Sequence, residues 1–65
     1  MTLIDVQQVV DTTLENLLKG GVILEQEKPY YRQRLEALTN VDLVLTLLES
    51  HCIKEQVEAE KIKMN

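Results

Sequence analysis

Sixty-five residues, a net charge of −4, a pI near 4.8 and a single cysteine set narrow limits on this chain. Cys52 has no second cysteine for an intrachain disulfide, and one His with one Cys falls short of the four ligands of a structural zinc site. A core of this size contributes only about 3–5 kcal/mol of net stability, so association with another chain is the expected supplement. The acidic balance, with seven scattered Lys and Arg residues, argues against nucleic acid, whose phosphates require clustered basic charge. No stretch approaches the ~18 apolar residues that span a bilayer. The segment Met1–Asp5 lacks the basic start of a secretory signal. A cytoplasmic protein with a reduced thiol is therefore expected, without membrane insertion.

The first predicted element is a helix over residues 2–19. Thr2 caps it, with Asp5 three residues later in a capping-box position. Leu3, Val6, Val10, Leu14 and Leu17 recur at spacings of three and four, with Val9 and Leu18 widening the stripe. Asp5, Gln8, Asp11, Thr12, Glu15 and Lys19 fall on the opposite, wet face. Gly20-Gly21 ends the helix, since glycine takes the left-handed conformation beyond a helix C-terminus without a Cβ clash. Val22 or Ile23 then supplies the apolar contact that accompanies such a cap.

Residues 20–28 form the connection. Val22-Ile23-Leu24 is more apolar than a solvated turn requires; it either seals the open end of a hairpin or contributes to a docking surface. Pro29 fits only within a first helical turn, which starts the second helix between about 25 and 29. With no later Gly or Pro, that helix is expected to run over about 27–62 on a stripe of Tyr31, Leu35, Leu38, Val41, Leu45, Leu48 and Cys52. The predicted fold is thus all-α. It is an antiparallel two-helix hairpin in a single domain, residues 1–65, with a charge-rich tail over 54–65 that overhangs the shorter first helix.

Catalytic groupings are sparse. His51 and Cys52, adjacent on a helix, point about 100° apart and cannot share the hydrogen bond of a thiolate–imidazole dyad. Cys52 reads as a small core hydrophobe. His51 and Glu55 stand one turn apart, two ligands where a metal centre needs more. The carboxylates do not gather in an apolar pocket that would shift their pKa values for acid–base work. No enzymatic activity, cofactor or metal is expected.

The stretch Val41–Leu48 is apolar apart from Asp42 and Thr46. One neighbouring helix covers a stripe of about 100°, which Val41, Leu45 and Leu48 fill. Leu43, Val44 and Leu47 are then left over as a candidate partner-binding patch, since burying each is worth roughly 1.5–3 kcal/mol. Tyr30, beside Arg32 and Arg34, has the composition of an interface anchor, whereas Tyr31 lies on the core stripe.

Leu17-Leu18-Lys19-Gly20-Gly21, a short polar link, and Pro29-Tyr30-Tyr31 leading into Leu35, Leu38, Val41, Leu45 and Leu48 together resemble the small co-chaperones of type III secretion needle subunits. The resemblance covers residues 2–50. Lys28 stands where that family more typically places an Asp cap before the proline, and the tail beyond His51 is not accounted for. The resemblance implies a cytoplasmic protein that pairs with a helical-repeat chaperone to keep a needle subunit soluble before export. Its contacts would fall on Leu43, Val44 and Leu47, with Tyr30 and Val9 as lesser ones. The alternative is a homodimeric helical-bundle adaptor or regulator of phage or plasmid type. In either case a homo-oligomer is open to the isolated chain.

Overall fold

The computed structural model describes residues 5–63, and they are all-α. Helix α1 spans Val6–Lys19, a single 3₁₀ turn spans Glu25–Glu27, and helices α2 and α3 span Lys28–Glu36 and Asn40–Lys63. No helix among the described residues is long and apolar enough to cross a membrane.

α1 begins at Val6, later than the residue-2 start expected from sequence. Asp5 is its N-cap, with extended backbone and a carboxylate that accepts from the backbone N–H groups of Gln7 and Gln8 at 3.1 and 3.3 Å. Two otherwise orphaned donors are thereby satisfied. The role assigned to Thr2 and Leu3 lies outside the described residues. At the other end Gly21 takes φ +74. The Val22 N–H donates to Leu17 O (2.9 Å) and the Gly21 N–H to Leu18 O (3.1 Å), the paired bonds of a Schellman cap.

The 3₁₀ turn leads directly into α2, its entry fixed by the Leu24 N–H donating to Glu27 Oε1 at 2.8 Å. Pro29 occupies the first turn of α2, where its missing N–H costs nothing. α2 runs antiparallel to α1, because Lys28 pairs with Glu15 and, one turn further on, Arg32 pairs with Asp11. These exposed pairs orient α2 and add a few tenths of a kcal/mol each at most.

The long second helix expected over 27–62 is in fact two helices. α2 tightens to i→i+3 bonds at Ala37 and Leu38, and α3 starts afresh at Asn40. The cause is Thr39, whose Oγ1 accepts from the Asp42 N–H at 3.2 Å while its carbonyl accepts from the Leu43 N–H at 2.9 Å. Thr39-Asn40-Val41-Asp42 is a capping sequence ahead of an apolar run, a start signal that needs no Gly or Pro. The expected two-helix hairpin therefore survives only as α1 and α2.

α3 packs along α1 in the same direction. Asn16 meets Ser50, and Gly20, four residues on, meets Ile53. The topology is up–down–up, and α3 continues about ten residues past the end of α1. Residues 55–61 in that overhang are exposed except Val57. The core is small: Val10, Leu14, Ile23, Leu35 and Leu43, with Val6, Val9, Leu17, Leu18 and Tyr31 packed against it. Of the Val22–Leu24 run, only Ile23 is buried.

Three polar residues are buried inside this interface, and each is satisfied. Thr13 donates to Val9 O (2.7 Å); Asn16 Nδ2 donates to Ser50 Oγ (3.3 Å), which donates in turn to Leu47 O (2.7 Å). Ser50→Ala would leave the Asn16 amide without its acceptor, a cost of about 1–3 kcal/mol. A lowered urea midpoint with unchanged slope is the expected readout, and an unchanged midpoint would show that the pair does not set the helix register.

Candidate functional site

α3 is apolar on two opposite faces. At about 100° per residue, Leu43, Leu47, Ser50, Lys54 and Val57 form one face. Leu43 and Ser50 are fully buried against α1, and Leu47, Lys54 and Val57 are half-buried. Val41, Leu45, Leu48 and Cys52 lie diametrically opposite, within roughly 60° of one another. Val41 is 70 % exposed, Leu45 52 % and Leu48 57 %, and Cys52 is exposed as well.

This inverts the sequence-based assignment. Leu43, expected in the partner-binding patch, is a core residue, and Leu47 and Val9 are half-buried within the helix packing. Leu38, Val41, Leu45, Leu48 and Cys52, expected in the core, are exposed. From the proposed core stripe only Leu35 is buried, with Tyr31 packed against the core. The break at Ala37–Thr39 is part of the reason: it resets the helical phase, so a stripe extrapolated from α2 cannot continue into α3.

Of the remaining proposed contacts, Val44 is half-buried and joins Asn40, Val41 and Leu45 around an open apolar groove of about 270 Å³. Tyr30 is exposed on α2. Its hydroxyl accepts from Arg34 Nη1 at 2.9 Å, the guanidinium lies 5.7 Å from the ring centroid, and the Tyr31 ring meets it edge-on at 5.2 Å. That hydrogen bond raises the Arg34 pKa above its ordinary value. A second groove, about 540 Å³, opens between the end of α1, α2 and α3, with Leu17, Val22, Tyr31, Leu35 and Leu38 among its walls.

Among the described residues the titratable groups gather nowhere comparable. His51 Nε2 lies 3.5 Å from Glu55 Oε1 on the open surface. Among the described residues no three His, Cys, Asp or Glu side chains converge as metal ligands would. No family model matches the chain, and neither a curated protein nor a solved structure matches it.

Proposed function

We propose that the chain is a protein-interaction module that docks a helix of another protein against the outward face of α3. The observation that carries this reading is the second apolar face, Val41, Leu45, Leu48 and Cys52, lying opposite the one that α1 covers. Its spacing of four, three and four residues is that of a coiled-coil seam, which a helix fills by knobs-into-holes packing. A monomer that exposes three large aliphatic side chains in one line gives up several kcal/mol of burial that an assembly would recover.

The narrower form of the proposal is a type III secretion co-chaperone that pairs with a helical-repeat chaperone and keeps a needle subunit soluble before export. It rests on the resemblance in Leu17–Gly21 and Pro29–Tyr31. Those segments are a glycine-capped helix end and a proline-led helix start. The contacts it places on Leu43 move to Val41, Leu45 and Leu48.

Co-purification of the tagged chain from its native cell tests both forms. A bound partner that is lost, at least tenfold, in Leu45→Glu/Leu48→Glu is the expected result, with the helical circular dichroism of the variant unchanged. Recovery of a helical-repeat protein with a needle subunit supports the narrower form, and a different partner on the same face removes it. A discrete homodimer in light scattering that the double variant dissolves would replace both with the homodimeric adaptor.

A further inference from the structure

The proposed docking role leaves open what kind of helix α3 receives, and the rim of its outward face bears on that. Asp42, Glu49 and Glu60 line one edge of the stripe, and Glu55 lines the other with His51; all five are exposed. Asp42 and Glu49 have no ion-pair partner among the described residues, while Glu55 lies 3.5 Å from His51 and 3.9 Å from Lys54. The lysines of α3 with described side chains, Lys54 and Lys61, fall on the helical line of Leu43 and Ser50, facing away from the stripe. Along the seam itself, from Val41 to Cys52, the flanking charges are therefore acidic, Asp42 and Glu49 on one side and Glu55 one turn on at the other, while Lys54 and Lys61 lie on the far side.

A second copy of this chain is a poor fit to that seam, because two such faces would bring their carboxylates together across a partly desolvated boundary. We infer that the occupant is a cationic amphipathic helix, with apolar residues alternating at three and four positions and Lys or Arg on both flanks. The inference rests on the docking reading above and adds the charge of the partner to it. The flanking cations meet Asp42 and Glu49 on one side and Glu55 on the other. A large aliphatic side chain near one end of the partner helix enters the groove walled by Asn40, Val41, Val44 and Leu45.

The test uses the full chain and two dye-labelled synthetic helices of about three heptads, both with Leu at the seam positions. One carries Lys at the flanking positions and the other Glu. The Lys peptide is expected to bind at least tenfold more tightly than the Glu peptide by fluorescence anisotropy. That binding should weaken roughly tenfold between low and high salt, as attraction across an exposed rim is screened. Leu45→Gln/Leu48→Gln should abolish it, and Asp42→Asn/Glu49→Gln should weaken it severalfold. Equal binding of the two peptides, lost in the leucine variant, overturns the charge inference and leaves the docking face standing. Binding of neither peptide overturns both. Lys-peptide binding that survives Leu45→Gln/Leu48→Gln is attraction to a generally acidic surface, and it too overturns the inference.

Discussion

Leu43→Ala is expected to unfold the chain at room temperature, whereas Leu45→Ala on the same helix is expected to leave it folded. Leu43 is 1 % exposed and sits in the core with Leu14 and Val10, while Leu45 is 52 % exposed. Truncating a buried leucine removes its transfer free energy and leaves a cavity, together about 2–5 kcal/mol. That matches the whole stability, about 3–5 kcal/mol, available to a single core of this size. Leucine to alanine at an exposed helical site stays within about 0.5 kcal/mol, because both residues favour helix and little burial is lost. Urea titration followed by circular dichroism, at a concentration where light scattering reports a monomer, distinguishes them. The reverse order, with Leu45→Ala the more damaging, would mean that α3 turns its other face to α1 and that the docking surface is misassigned.

The pair also isolates what sequence periodicity leaves undetermined. The two faces of α1 are legible, although not its start at Val6: Val10 and Leu14 are buried, and Asp11, Thr12, Glu15 and Lys19 are exposed, as the spacing of apolar and polar residues requires. The turn at Gly20-Gly21 and the start of α2 at Pro29 are equally legible, because each rests on backbone chemistry peculiar to glycine or proline. α3 is different. Both of its faces carry large aliphatic residues, and the outward one is the less polar, so apolar content alone does not pick the buried face. The choice falls to polar and steric matching with α1. Asn16, buried at 5 % exposure, finds an acceptor in Ser50 only when the Leu43 face turns inward. The opposite orientation would present Leu48 and Cys52 to that amide and leave it unsatisfied, at a cost of about 1–3 kcal/mol. Neither Asn16 nor Ser50 marks itself in the sequence, since each is an ordinary polar residue until the other is placed beside it. Thr39 is a start signal that the absence of Gly and Pro does not reveal: Thr39-Asn40-Val41-Asp42 is a capping pattern that begins a new helix without either residue.

Gly20→Ala should destabilise the chain by about 1–3 kcal/mol, the range for forcing an extra methyl into a packed contact. The sign is not obvious from the backbone. Gly20 has φ −81 and ψ −3, a conformation open to alanine, and substitution there would ordinarily stabilise by about 0.4–1 kcal/mol through the unfolded state. The obstacle is α3: a Cβ at Gly20 would stand 2.7 Å from Ile53 Cγ2 and 3.2 Å from the Asn16 carbonyl oxygen. Ile53 is β-branched and held in a helix, so its Cγ2 has little freedom to swing aside. Relief requires α3 to lift from the end of α1, where the Asn16–Ser50 hydrogen bond is also made. Gly21→Ala is the control, because nothing lies within 4 Å of its Cβ and its cost, about 1–2 kcal/mol, arises from φ +74 alone. The two are separated by Ile53→Ala. Removing the Ile53 branch should return most of the stability lost in Gly20→Ala and none of that lost in Gly21→Ala, a coupling that a double-mutant cycle in urea reads directly. Additive effects at Gly20 and Ile53 would mean that α3 does not cross α1 at this glycine. The parallel packing of the two helices, and with it the outward placement of Val41, Leu45 and Leu48, would then have to be redrawn.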